Sequence, residues 1–231
     1  MNTEILYRPS AALARCHLAA GETIRVEGGS MVGMSATITI ETKAQGGFLT
    51  SLARSMFGGE SFFQNTYTAG AGGGELLLAS ALPGDMFAID VNNTPMLVQS
   101  GSYVASGGSI ETETGWGGAK SFFAAGSLVM LRIKGSGPLL LSCYGAIHEV
   151  DIKAGESFTI DTGHVVAFEE RMQQNVRRVG GMKSTLFSGE GFVVDLQGPG
   201  KVYLQTRSVD AFMSWLFPKI PHPEARPTTS L

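Results

Sequence analysis

Cysteine is nearly absent from this sequence: 231 residues hold Cys16 and Cys143 and no other. Two isolated thiols make neither a disulfide framework nor a metal knuckle, and their scarcity suits a reducing compartment. Charge is sparse as well. Charged residues make up 16% of the chain and the net charge is −3, which speaks against a surface built to bind polyanions. Nowhere do about 18 apolar residues run together to span a bilayer. The start, Met1-Asn2-Thr3-Glu4, lacks the basic region and apolar core of a secretory signal. A soluble cytoplasmic protein is the expectation. Histidine is limited to His17, His148, His164 and His222, with no H-x-H pair among them.

Glycine, by contrast, is abundant: 31 copies spread along a chain that is 43% apolar. The apolar content is that of a globular protein rather than a disordered one. The glycines favour many short strands joined by tight turns, since glycine alone enters positive φ at little steric cost. They also recur in step. Gly21, Gly84 and Gly155 each open a Gly-acid turn, with gaps of 63 and 71. Gly29, Gly101 and Gly163 follow with gaps of 72 and 62, and the pairs Gly46-Gly47, Gly117-Gly118 and Gly180-Gly181 come next. Gly74, Gly137 and Gly200, each ahead of an apolar run, lie 63 apart both times. Marks that keep step in this way point to one structural unit written three times, over about 18–82, 83–152 and 153–207.

Within the units the pattern is that of strands. The stretch 36–42 alternates apolar with hydroxyl or charged residues, as a half-buried strand does. Leu76-Leu77-Leu78 and Leu139-Leu140-Leu141 are continuous apolar runs that fit strands covered on both faces. The stretch 12–22 matches 146–156 at a constant offset of 134, so the N-terminal 1–17 is expected to supply the strand that closes the third unit. One helix is expected, over 208–217, with Ser208 as N-cap and Pro218 as its stop. Residues 1–217 then form a single domain, and the proline-rich 218–231 a disordered tail.

Several motifs together resemble a known family, the altered-inheritance-of-mitochondria proteins. They are Gly29-Ser30-Met31-Val32, Gly58-Gly59-Glu60-Ser61-Phe62-Phe63, Pro83-Gly84-Asp85, Tyr144-Gly145-Ala146-Ile147, Gly163-His164-Val165-Val166-Ala167-Phe168, and Gly198-Pro199-Gly200 with Gln205-Thr206-Arg207. The resemblance implies an all-β fold: three tandem copies of the β-unit of the tryptophan RNA-binding attenuation protein, forming a short double-stranded β-helix or barrel with pseudo-threefold symmetry. It also implies assembly into oligomers. Bacterial members have no established activity, a mitochondrial relative is implicated in inner-membrane organisation, and no catalytic residue carries over.

The side chains that might do chemistry have plainer readings. Glu22, Asp85 and Glu156, with Glu27, Asp90 and Asp161, read as turn and strand-end residues facing water rather than as catalytic carboxylate pairs. His148 and His164, sixteen apart and beside Glu149 and Asp161, are the only grouping that resembles a metal site. His164 aligns with Ser30 and Ser102, which makes it a unit-specific polar position. Cys143 follows an apolar run and reads as a buried small residue. The stretch 70–74 is glycine-rich but lacks the lysine and helix of a phosphate loop, so it reads as a hairpin turn. Arg171, Arg177, Arg178 and Lys183 cluster without interleaved aromatics and read as a solvated face.

One stretch exceeds what the threefold pattern needs. From Gly47 to Gly59 is 12 residues, against 8 for Gly118 to Gly126 and for Gly181 to Gly189. The surplus lies in 48–57, which reads equally as a cap on one end of the barrel or as a contact for a partner, subunit or membrane; on the second reading Phe48, Leu49, Leu52, Arg54, Met56 and Phe57 form the candidate interaction surface. The reading that results is a non-catalytic homo-oligomeric scaffold, a trimer, needing no cofactor, with a membrane surface or membrane protein as its further partner. Nucleic acid is not expected. A ring that binds a small molecule or RNA is the alternative, and a metal-dependent cupin-like enzyme the third reading.

Overall fold

The computed structural model describes residues 2–42, 64–113, 128–179 and 191–220. The described chain is mostly antiparallel β-sheet with one short C-terminal helix. It opens with β1 (Asn2–Leu6), β2 (Leu13–Leu18), β3 (Thr23–Glu27), β4 (Met31–Met34), β5 (Ile38–Thr42), β6 (Gln64–Ala69) and β7 (Gly74–Leu78). Here β2 and β4 flank β7, while β3 and β5 flank β6. The next strands are β8 (Met86–Asn92), β9 (Met96–Gln99), β10 (Tyr103–Gly107), β11 (Ile110–Glu113) and the long β12 (Met130–Ser142). The C-terminal half of β12 lies between β8 and β10, and its N-terminal half between β9 and β11.

The scheme appears again in β13 (Ile147–Ile152), β14 (Ser157–Asp161), β15 (Val165–Glu169), β16 (Gln173–Arg178), β17 (Phe192–Gln197) and β18 (Gly200–Gln205). There β13 and β15 flank β18, and β14 and β16 flank β17. Register fixes which residues share a place. Leu78, Leu141 and Leu204 face Ala14, Phe87 and His148 on one side and Met31, Tyr103 and Val165 on the other. Each of β4, β10 and β15 then skips a residue, Val32, Val104 or Val166, in a bulge of the kind that sharpens local twist. Glycines 74, 137 and 200 keep the spacing of 63 seen in the sequence.

Three sets of strands join through backbone pairing. Strand β10 pairs with β3, Ala105 facing Val26, and β15 pairs with β9, Ala167 facing Val98. The core follows the same path in three adjoining clusters, centred on Leu76, Leu78 and Tyr67, then on Tyr103, Leu131 and Leu139, then on Phe168, Val194 and Val202. Helix α1 (Val209–Leu216) follows β18, with the Ser208 hydroxyl accepting from Ala211 N at 3.4 Å as the sequence implied. Phe217–Lys219 continues it as a 3-10 turn, which takes ordered structure past Pro218, where the sequence reading placed the tail.

Three sequence expectations need correction. Strand β2 pairs with β1 and β7 in the first set, and the third set has its own first strand, β13, so residues 1–17 do not complete it. The offset of 134 relates equivalent strands rather than exchanged ones. Second, Gly84 is not the counterpart of Gly21 and Gly155. Gly21 lies five residues before Val26, and the residue five before Val98 is Asn93. Gly21, Asn93 and Gly155 all have positive φ, 74°, 55° and 82°, a conformation asparagine tolerates better than most residues. Third, no closed barrel forms among the described residues: β4 pairs only with β7, and β14 only with β17.

Gly84 is glycine for reasons of space instead. A Cβ there would stand 1.8 Å from the Cys143 carbonyl oxygen, in a parallel bridge to Gly145. At Gly21 a Cβ meets nothing within 4 Å. Gly84→Ala is therefore expected to cost at least about 3 kcal/mol, since backbone rather than a movable side chain is in the way. Gly21→Ala should cost only about 1 kcal/mol, for its positive φ alone. Thermal melts of the two variants, side by side, test this; equal losses would contradict the register given above.

Candidate functional site

The candidate surface at Phe48, Leu49, Leu52, Arg54, Met56 and Phe57 lies outside the described residues. Lys183 and His222 lie outside them as well. Glu22 and Glu156 close their own turns, accepting from Ala19 N at 2.9 Å and Lys153 N at 3.1 Å. Asp161 accepts from Gly163 N at 2.7 Å, and Glu27 from the Ser30 hydroxyl at 3.3 Å. Asp85 departs from this pattern. It stands immediately ahead of β8, is 4% exposed, and takes a bidentate ion pair from Arg8 at 2.8 Å. Its reading as a water-facing turn residue followed from the wrong register for Gly84.

His164 Nδ1 lies 2.7 Å from the Gln205 carbonyl, in the 3-10 turn between β14 and β15. His148 sits exposed on β13, opposite Leu204. Among the described residues no three His, Cys, Asp or Glu side chains group as metal ligands would. Gly73 N donates to Gly70 O at 2.9 Å in the turn between β6 and β7, so the glycine-rich stretch is a hairpin turn as read. Arg171 pairs with Glu169 and Arg177 with Asp195, and Arg178 lies over the Phe192 ring. Their charge is spent on neighbours rather than presented as a patch.

Among the described residues several strands pair on one side only, and two of these, β4 and β14, stand where their equivalents pair on both. At the place where β10 and β15 pair with a preceding set, β4 pairs with nothing further among the described residues. Tyr103, Val104 and Ser106 of β10 are fully buried, as are Val165, Val166 and Phe168 of β15. Their counterparts on β4, Met31, Val32 and Met34, are 40%, 58% and 41% exposed. The complementary edge is β14. Ile24 and Met96, at equivalent places in β3 and β9, are buried, whereas Phe158 is 43% exposed. An apolar edge with free backbone groups is a template for another strand unless a protein blocks it with charge, proline or a cover. Strand β4 carries no charge or proline, and the one charged residue of β14, Asp161, accepts from Gly163 N in the turn that follows.

Sequence reasoning missed these edges although it named Gly29-Ser30-Met31-Val32. The alignment of that motif with 101–104 and 163–166 was legible, and all three segments are apolar. Which of the three lacks a neighbour depends on sheet order, and no local pattern carries it. A second apolar surface was foreseen in part. On α1, Val209, Met213 and Leu216 turn toward the protein, while Phe212, Trp215 and Phe217 stay exposed.

The architecture is thus that of an all-β protein made of antiparallel sheets, without a recognisable catalytic cluster among its described residues. By sequence the chain belongs to the family described as mitochondrial biogenesis AIM24, whose model matches residues 3–207. It is 28% identical, over 212 residues, to an uncharacterized protein of Streptococcus pyogenes serotype M6, a match covering 88% of this chain and 85% of that one. It is also similar to an X-ray crystal structure of a Streptococcus pyogenes protein from a structural genomics effort, with a TM-score of 0.79 and 26% identity. That superposition covers 95% of this chain and 99% of the other. None of these descriptions names an enzyme activity. Among the described residues no helix is long and apolar enough to cross a membrane.

The thiols give a chemical check on the fold. Burial pushes both Cys16 and Cys143 up to about 11. The thiolate is the reactive form, so at pH 8 both should resist a soluble maleimide in the native protein and react at once in denaturant. Labelling should accelerate as pH rises toward 11. Prompt native labelling at pH 8 of either residue would contradict the burial assigned to it.

Proposed function

We propose that this protein is a non-catalytic homo-oligomeric scaffold whose copies join head to tail, β4 of one copy adding to β14 of the next. The observation that carries the proposal is the contrast in burial: Met31, Val32 and Met34 are exposed where both equivalent strands are fully buried. The two junctions inside the chain supply the template. There Ala105 faces Val26 and Ala167 faces Val98, with Ser106 opposite Arg25 and Phe168 opposite Leu97. Carried over by register, Gly33 faces the partner's Ile160, Met34 faces the partner's Thr159, and Ser35 faces the partner's Phe158. The contact buries Met34 and the partner's Phe158, each of which is paired on one side only among the described residues.

Such a contact uses different surfaces on the two copies, so it closes into a ring or runs on as a filament. A closed trimer, with nine sets of strands, is the form the sequence reading favours. The alternative of an RNA-binding ring has less support, because the described arginines of the basic cluster are engaged by Glu169, Asp195 and Phe192.

Light scattering behind a sizing column should give three times the chain mass of 24.4 kDa for the parent. Met34→Lys and Phe158→Lys each place a charge on one edge only, at residues already exposed in the single chain, so each should be monomeric with an unchanged melting temperature. Mixed together they should form a heterodimer and nothing larger, because one intact β4 and one intact β14 remain between them. Monomers in the mixture, or a parent that stays monomeric at micromolar concentration, would rule the arrangement out. Two-fold pairing through one edge alone would show itself by oligomers of a single variant.

A further inference from the structure

The head-to-tail reading leaves α1 unexplained, yet the connections between strand sets show where it must lie. Four such segments bond in series. Ala12 N, ahead of β2, donates to Gly84 O at 3.1 Å in the connection into β8. That connection bonds to the next, Asp85 N to Gly145 O at 2.8 Å and Cys143 N to Asp85 O at 3.0 Å. The last follows β18: Thr206 N donates to Ala146 O at 3.0 Å, and Arg207 N to Tyr144 O at 3.2 Å. By the spacing of 63, Thr206 stands where Cys143 stands and Ser208 where Gly145 stands. By strand register Ala12 holds the place of Asp85 and Ala146, two residues before Ala14, Phe87 and His148.

At the two junctions within the chain, one connection fills one place. At a junction between copies two half-connections must share it. The first is Thr206–Ser208 of one copy, bonded back to the segment 144–146. The second is the partner's 10–12, bonded forward to the partner's Gly84. From the first grows α1, and immediately before the second stands the partner's Tyr7. The two surfaces suit each other. Phe212 meets Tyr144 edge-on at 6.1 Å and stacks on Trp215 at 6.0 Å, and Lys219 Nζ lies 4.7 Å from the Trp215 ring centre. The outer faces of Trp215 and Phe217 remain 57% exposed.

Tyr7 is 71% exposed and sits at φ 58°, a conformation few L-residues hold without a reason. The loop behind it is fastened by the Arg8–Asp85 ion pair and by Ala11 N donating to Tyr7 O at 3.4 Å. A tyrosine held outward on an anchored loop, beside the place where an exposed aromatic helix must fall, is the arrangement of a clasp. We infer that α1 closes over each junction between copies, with Phe212, Trp215 and Phe217 packing on the partner's Tyr7. This inference rests on the head-to-tail reading, and its test separates the two.

Trp116→Phe makes Trp215 the sole tryptophan. In that background, chains carrying Met34→Lys keep β14 and α1 intact, and chains carrying Phe158→Lys and Trp116→Phe supply an intact β4 and Tyr7. On mixing, the Trp215 emission should shift to the blue as the heterodimer forms. The shift should be lost when the Phe158→Lys chain also carries Tyr7→Ser, while the heterodimer mass persists. A second arm introduces Tyr7→Cys and Trp215→Cys into one otherwise parental chain. A short bis-maleimide should link these chains covalently up to the trimer in a denaturing gel, and should link neither single-cysteine variant. Heterodimers or trimers of the right mass with no blue shift and no crosslink would overturn the clasp and leave the head-to-tail scaffold standing. Failure to form the heterodimer at all would overturn both.

Discussion

Backbone hydrogen bonding between strand sets is the constraint on which the rest of this structure depends. Every strand offers two rows of amide and carbonyl groups, and each row must find a strand, a loop or water. Inside the chain the requirement is met twice by the same device, a bulged strand laid against the second strand of the preceding set. The bulge at Val104 and Val166 turns the strand so that one stretch pairs to both sides, with its side chains driven into the core. The device at Val32 is already formed, with its bulge in place and no strand to receive it among the described residues. A strand with its bulge formed but one side unpaired is what the proposed head-to-tail assembly would use.

The polar side chains singled out in the sequence are for the most part occupied locally. Glu22, Glu156 and Asp161 close turns, Gln205 binds Tyr144 N and Gly163 O, and His164 meets the Gln205 carbonyl. Asp85, the one described carboxylate from the repeated set that is buried, is neutralised by Arg8 and so fastens the N-terminal segment to the junction between the first two sets. Buried charge of this kind is costly to leave unpaired, which ties residues 7–12 to the connections they bond. Groups committed to backbone and to one another are not poised for acid–base work.

Much of the architecture could be read in advance, and the errors are instructive. Strands, turns and the Ser208-capped helix followed from alternation, glycine and capping, all of which act within a few residues. The equivalence of 29–32, 101–104 and 163–166 followed from spacing. The Gly84 motif misled because Gly-acid is a short pattern with two unrelated uses: an open turn at Gly21, and a close backbone approach at Gly84, where Cys143 leaves no room for a Cβ. The true counterpart was hidden because asparagine does at position 93 what glycine does elsewhere. The N-terminal match at offset 134 was real, but sequence likeness shows that two strands are equivalent and not which partner each one takes.

By itself, then, the sequence determined an all-β chain with three recurrent strand sets, leucine-rich inner strands and a terminal aromatic helix, because side-chain period and turn chemistry are local properties. Only the tertiary structure decided that β2 stays with β7, that Asp85 is buried against Arg8, and that among the described residues β4 and β14 pair on one side where their equivalents pair on both. The same apolar motif is core in two places and surface in the third, since burial depends on which strand lies alongside. That is settled by residues more than 60 positions away, as Ala105 facing Val26 shows.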